Sequence, residues 1–354
     1  MTADLLVATA DLVDIASVSR AEQALVGHLE ERLRALGHLE VARVGDNLVA
    51  RTDLGRSQRV VLGGHTDTVP PDGNAAAVID GDTLSGVGSA DMKGGLAVMM
   101  DLAETVVDPV VDVTWVLYAR EEIEIRHNGL RELAAARPDL LRADFAVLGE
   151  PTDGVIEGGC QGTLRVDVTV RGARAHTARA WMGTNAIHRL GAVLDLIGAV
   201  ECRRPVVEGL EYREALQAVA VTGGVAGNVV PDAATVTVAH RFAPDRSVDE
   251  ALSWVQERLG EVLAEGDTVE LVEAAPAARP GLDHPLVADW IRRTGLATRA
   301  KLGWTDVAFF SEQGVPAVNL GPGDPTVAHT ATEHVTRASL ERTHAVLVDL
   351  LTHS

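Results

Sequence analysis

Histidines and carboxylates in this 354-residue chain recur beside glycine-rich turns. His65 and Asp67 stand in Gly-Gly-His-Thr-Asp-Thr-Val-Pro, and Asp91 closes the loop Gly86-Val-Gly-Ser-Ala-Asp. Glu121 and Glu122 follow Arg120, Glu150 lies in Gly-Glu-Pro-Thr, and His329 opens His-Thr-Ala-Thr-Glu333. Imidazole and carboxylate are donors that zinc accepts, and a catalytic zinc keeps one position open for water. His65, His329, Asp91, Glu122 and Glu150 suffice for two zinc ions if one carboxylate bridges them, with Co²⁺ or Mn²⁺ as substitutes. Asp67 is spaced to orient the His65 ring from behind. Glu121 adjoins a ligand, where a general base would sit. Asp91, Glu121, Glu122 and Glu150 carry four negative charges, which two divalent cations would balance.

Each motif alone has a plainer reading. His65 and Asp67 could form a strand-end turn, Glu121-Glu122 a solvated pair, Glu150-Pro151 an ordinary turn and His329 a surface histidine. The loop from Gly86 is no dinucleotide cradle, because Asp91 stands where that fingerprint needs its third glycine. No Gly-Lys-Ser/Thr triplet of a phosphate loop occurs either. What distinguishes the set is its setting, since these residues end separate predicted strands.

The elements that must carry them alternate. Residues 25–36 repeat leucine at helical spacing, with Ser19 and Glu22 at capping-box distance and Gly37 as a stop. A buried strand is expected from Arg59, a helix over 95–106, and strands over 112–119 and 144–148. Alternating strands and helices predict an α/β layer with a largely parallel sheet, whose ligands gather at the strand carboxyl ends. From residue 162 the pattern becomes strand, helix, strand, strand, helix, strand, the order of a ferredoxin-like sandwich. Its first helix is expected to bury Ile187, Leu190, Leu194 and Ile197. The expected division is a catalytic domain over 1–161 and 275–354, with an inserted α+β domain over 162–274 that serves as lid and dimerisation surface.

Composition narrows the class. The formal charge of −20 opposes binding to nucleic acid or an anionic membrane surface. Apolar residues at 46% allow two cores, and aromatics at only 3% require those cores to be aliphatic. Two cysteines without C-x-x-C spacing fit a reducing cytoplasm. No signal-peptide pattern opens the chain, and no apolar run is long enough to span a bilayer.

GGHTDTVP, GVGSADMKGG, AREEIE, LGEPT, GARAHTA, GNVVPD and AHTATEH resemble, in order, the motifs of the zinc aminoacylase and carboxypeptidase superfamily. GGCQGTLRV, HRFAPDRS and GWTDVAFFSEQGVPAVNLGPGDP look most like its desuccinylase branch, which acts on N-succinyl-LL-diaminopimelate. The resemblance implies that His65 and Glu150 hold one zinc, Glu122 and His329 the other, and that Asp91 bridges them. It also implies that Glu121 is the general base, supported by Asp67. His176 would steady the oxyanion in a neighbouring subunit's site, implying a homodimer joined through the inserted domain. Asn228, Arg241, Gly303 and Thr305 match substrate-contact positions for a small N-acyl amino acid.

This chain departs from the branch at three places. Phe309 replaces an arginine that many desuccinylases carry, Thr332 an aspartate, and Cys160-Gln161-Gly162 an Arg-Gly start. Losing a cation bears on the acyl group, because a succinyl tail needs a partner for its carboxylate. An acetylornithine deacetylase or another deacylase of the superfamily therefore remains the nearest rival. A cysteine hydrolase built on Cys160 and His176 leaves the metal-type donors unexplained, and a non-catalytic scaffold leaves their full retention unexplained.

Overall fold

The computed structural model describes residues 4–353. Helix α1 (Leu5–Val13) starts where the Asp4 side chain accepts from the Leu6 and Val7 amides. Helix α2 (Gln23–Ala35) buries Leu25, Val26, Leu29 and Leu33. A hairpin of β1 (Glu40–Val44) and β2 (Asn47–Arg51) leads to β3 (Arg59–His65), helix α3 (Gly94–Thr105) and β4 (Asp112–Tyr118). Helix α4 (Gly129–Ala136), β5 (Phe145–Leu148) and β6 (Ile156–Gly158) complete this stretch. There follow β7 (Gly162–Arg171), α5 (Ala186–Ala199), β8 (Ala215–Gly223), β9 (Ala233–Phe242), α6 (Val248–Gly260) and β10 (Thr268–Ala275). Helix α7 (Pro285–Thr294), β11 (Thr298–Ala300), β12 (Ala317–Asn319) and α8 (Arg337–Thr352) end the chain.

Two compact units emerge. The first runs to Gly159 and includes Pro280–Arg299 and the chain from Phe309 onward. Its eight-stranded mixed sheet has the order β1-β2-β4-β3-β5-β12-β6-β11. The central run β4-β3-β5-β12 is parallel, as expected for strands separated by crossover helices. Every residue of β4 and β5 is buried, so these strands read as continuous apolar runs rather than alternating ones. The core joins Leu62, Trp115 and Val147 of the sheet to Leu96, Met100, Leu340 and Leu347 of α3 and α8.

The second unit comprises Cys160–Arg279 and Ala300–Ala308. Its antiparallel sheet has the order β8-β9-β7-β10, and β7 alternates buried Leu164, Val166, Val168 and Val170 with more accessible residues. Helix α5 buries Ala186, Leu190, Val193 and Ile197 against this sheet. Ile187 and Leu194, expected on the inner face, are exposed, because the buried stripe is rotated toward Val193. Segment 300–308, expected with the catalytic domain, groups with this unit through local bonds. The Gln161 amide donates to the Lys301 carbonyl, the Cys160 thiol to the Thr305 carbonyl, and the Trp304 indole to the Pro276 carbonyl.

The spacing that suggested a Ser19 capping box misleads. Arg20 adopts φ 75°, α2 begins after Glu22, and Glu22 makes no side-chain cap. Ser19 is instead recruited by Asp67 (2.7 Å), whose charged carboxylate is a stronger acceptor. Among the described residues, no helix is long and apolar enough to cross a membrane.

Close approach of α3 to the sheet depends on Gly95. A Cβ there would overlap the Gly149 carbonyl oxygen, which cannot rotate away as a side chain can. Gly27, within α2, has nothing within 4 Å of the equivalent atom. Gly95→Ala should destabilise the protein by about 1–3 kcal/mol in urea unfolding. Gly27→Ala should stabilise it by about 0.4–1 kcal/mol, so equal effects of the two would sink this packing account.

Candidate metal centre

Three parallel strands deliver most of the candidate donors at one sheet edge. His65 is the last residue of β3, Glu121 and Glu122 follow the end of β4, and Glu150 follows β5. Gly63 and Gly64 pair with Val116 and Leu117 while His65 pairs with Tyr118, so the register sets where both loops leave the sheet. Asp91 comes from the turn Ser89–Lys93 that feeds α3, entered through Gly88 at φ 80°. Its peptide bond to Met92 is cis. His329 arrives on a loop preceding the strand His334–Thr336, which pairs with Thr83–Ser85.

The donors converge. His65 Nε2 lies 3.0 Å from Asp91 Oδ1 and 4.0 Å from a Glu150 oxygen. His329 Nε2 lies 2.9 Å from Glu122 Oε1 and 3.4 Å from Asp91 Oδ2. His65, Asp91 and Glu150 offer donor atoms within 4.8 Å of one another, and so do Asp91, Glu122 and His329. Asp91 belongs to both groups and presents a different oxygen to each histidine. A third group joins His65, Glu121 and Glu122, bringing the Glu121 carboxylate beside the ligand set.

Asp67 holds this arrangement from behind. Its Oδ1 accepts the Glu121 amide (2.9 Å), and its Oδ2 accepts the Glu122 amide (3.1 Å) and the Ser19 hydroxyl. His65 Nδ1 is 3.0 Å from the Asp67 carbonyl, so the same residue sets the ring and leaves Nε2 to the cluster. Arg120, immediately before Glu121, adopts φ 62°, and its guanidinium donates to the His127 carbonyl. His329 shares that φ, and such non-glycine geometry costs about 1–3 kcal/mol each and clusters at functional sites.

Electrostatics point to a cation. Burial opposes protonation of His65, yet bonding to Asp67 and Asp91 outweighs it and holds the ring well above its ordinary pKa. Asp91 and Glu122 push His329 up to about 10. Burial would raise Asp91, but His329 and His65 keep it far below the usual carboxylate range. The carboxylates thus demand positive charge, which protons on the two rings supply in the metal-free chain. The donor set, two imidazoles and several carboxylates with a shared Asp91, fits divalent metal ions of the zinc type.

His176, Asn228, Arg241, Gly303 and Thr305 belong to the second unit. Within it, the Thr177 amide donates to the Asn228 carbonyl (3.0 Å), which brings the His176 and Asn228 loops together. His176 is exposed, and its Nδ1 accepts from the Ala178 amide (3.0 Å), so the neutral ring carries its proton on Nε2. Arg241 is exposed on β9, whereas Thr305 is buried. Cys160 is also buried and its thiol is raised to about 11 by desolvation, which removes it as a nucleophile.

Two functional neighbours escaped sequence reasoning. Ser19 was absorbed into a helix signal, and its bond across 48 residues leaves no local trace. Glu333 stands in the His329 motif without a readable role. It is buried, and its Oε1 accepts the amides of both Ala90 and Asp91.

The model of peptidase family M20/M25/M40 matches residues 61–353. A Corynebacterium glutamicum protein named succinyl-diaminopimelate desuccinylase is 40% identical, over 98% of this chain and 96% of its own. A Mycobacterium tuberculosis protein provisionally given that name, DapE, is 50% identical over 92% of each chain. A tripeptidase from Staphylococcus aureus shares the fold, with a TM-score of 0.79 at 22% identity over 99% of this chain and 98% of that one.

His329 titrates from an ordinary 6.5 to about 10 in the folded chain. Its stabilising charge is complete below 6.5 and is lost as pH rises through 10. The metal-free protein should therefore melt at falling temperature from pH 7 to 10, and His329→Ala should flatten that slope. Metal binding must displace this proton, so calorimetry in buffers of different ionisation enthalpy should show proton release at neutral pH.

Proposed function

The chain belongs to peptidase family M20/M25/M40, and from that premise we propose that it hydrolyses N-succinyl-LL-diaminopimelate to succinate and LL-diaminopimelate. The observation that carries this reading is the likeness to two proteins bearing the desuccinylase name, over more than nine-tenths of this chain. The donor cluster supports it, because His65, Asp91, Glu122, Glu150 and His329 form groups that could hold metal ions beside Glu121.

Two zinc ions are proposed, one held by His65 and Glu150, one by Glu122 and His329, with Asp91 between them. They would acidify water and polarise the scissile carbonyl. Glu121 takes a proton from the water that attacks the carbonyl carbon, then returns it to the amide nitrogen as the carbon–nitrogen bond breaks. The balance is one amide and one water consumed, and one carboxylate and one amine formed. General base assistance of this kind contributes on the order of 10²- to 10⁴-fold. Asp67 keeps Glu121 and Glu122 in register through their amides. His176, whose Nδ1 accepts from the Ala178 amide, is proposed to steady the developing oxyanion in a neighbouring subunit's site through Nε2–H. Asn228, Arg241, Gly303 and Thr305 are proposed to meet the substrate.

The second unit is also proposed to join two copies of the chain. Strand β8 forms an edge of its sheet, with Val219 and Val221 exposed, and Ile187 and Leu194 of α5 add further exposed apolar surface. Edge strands of this kind pair with another chain unless blocked. Unpaired Cys160 and Cys202 suit a reducing cytoplasm.

The discriminating experiment measures the zinc-loaded protein on N-succinyl-LL-diaminopimelate beside N-acetylornithine and simple N-acyl amino acids. Preference for the succinyl substrate supports the proposal, whereas turnover of another acyl amino acid alone would reassign the specificity. Glu121→Gln should cut kcat by about 10²- to 10⁴-fold with metal content unchanged. Loss of metal together with activity would instead make Glu121 a ligand. Light scattering should report a dimer for the wild type and a monomer for Val219→Lys/Val221→Lys, and a monomeric wild type would sink the edge-strand reading.

A further inference from the structure

Asp91 sits on a turn, not on a strand, yet it is the donor shared by both groups of the cluster. Something must therefore fix that turn. The Glu333 carboxylate is 1% exposed and lies under it, with Oε1 3.0 Å from the amide nitrogens of both Ala90 and Asp91. The Glu333 carbonyl accepts the Gly86 amide, so the residue grips both ends of the loop from Gly86 to Asp91. Lys93, also 1% exposed, donates from Nζ to the Ile15 carbonyl (2.8 Å) and tethers the far side of the turn to the chain's first segment.

Glu333 is also only four residues beyond His329, and the Glu333 amide donates to the Thr330 carbonyl (3.1 Å). One carboxylate thus ties the loop carrying His329 to the loop carrying Asp91, whose donor atoms face each other at 3.4 Å. We propose that Glu333 is a positioning residue for the bridging carboxylate, and that it sets the spacing between Asp91 and His329 that two metal ions require. The proposal rests on reading the cluster as a metal pair.

The test is metal binding rather than turnover. Zn²⁺ is titrated by calorimetry into metal-stripped wild type, Glu333→Ala and Glu333→Gln, with amide exchange at Ala90 and Asp91 followed alongside. Glu333→Ala should bind one of the two ions about 10- to 100-fold more weakly and lose amide protection at both residues. Glu333→Gln retains an oxygen that accepts, so its loss should stay below about tenfold. A role confined to general stability would lower the melting temperature and leave both affinities in place. Should Glu333→Ala fail to fold, Glu333→Asp replaces it, since a carboxylate one methylene short cannot reach both amides. Weakened binding of one ion by Glu333→Asp at wild-type melting temperature supports the proposal. Unchanged affinities in the folded variant, or a Gln variant as impaired as the Ala variant, overturn it. Wild type binding fewer than two ions overturns the metal-pair reading and this proposal together, whereas two ions held equally by wild type and variants overturns this proposal alone.

Discussion

Mutual repulsion among carboxylates is the constraint around which the first unit is built. Two like charges about 4 Å apart repel by roughly 4 kcal/mol at an effective dielectric constant near 20. Asp91 and Glu122 bring donor atoms to within 4.8 Å of both histidines, Glu150 to within that distance of His65, and Glu121 lies beside them. Folding does not assemble such a group for its own stability. In the metal-free chain, protons on His65 and His329 supply part of the missing charge, as their raised pKa values show. Divalent cations would supply it more completely and free the rings to act as ligands.

Holding repelling groups at short range requires a rigid frame and many small restraints. The parallel run β4-β3-β5 gives the frame, because each strand end is fixed by the register of its neighbours. The restraints are backbone amides turned toward carboxylates. Asp67 takes those of Glu121 and Glu122, and Glu333 takes those of Ala90 and Asp91. Each bond between a charged acceptor and an amide contributes about 1.5–3 kcal/mol, more than a neutral one does. Aligning the loops through their main chain leaves the ligand side chains uncommitted.

Legibility in the sequence divides along physical lines. Elements with a strong period or a long apolar run were readable, including β3, α3, β4 and β7, since local pattern and final burial coincide there. The α/β layer and the ferredoxin-like order followed from those elements. The inner face of α5 was misread because Ile187 and Leu194 are apolar yet lie outside the buried stripe, and hydrophobicity alone does not say which apolar residue faces the sheet. Ser19 and Glu333 act through partners 48 and more than 240 residues away, a relation that no local window contains. Helix α1 and the hairpin of β1 and β2 are short and carry little local period, so their pattern is weak in the sequence.

Specificity separates from chemistry in this architecture. The donor cluster lies wholly in the first unit, and any deacylase using the same metals would need the same donors. Phe309 is buried in the short helix Val307–Glu312 and meets Phe310 edge-on at 5.4 Å, so position 309 is committed to packing. A phenyl ring there offers no charge to an acyl carboxylate. An acyl carboxylate would therefore have to find its cation at a residue other than 309. The metal donors set the reaction class, and a phenylalanine committed to packing at 309 leaves the acyl group to be chosen by other side chains.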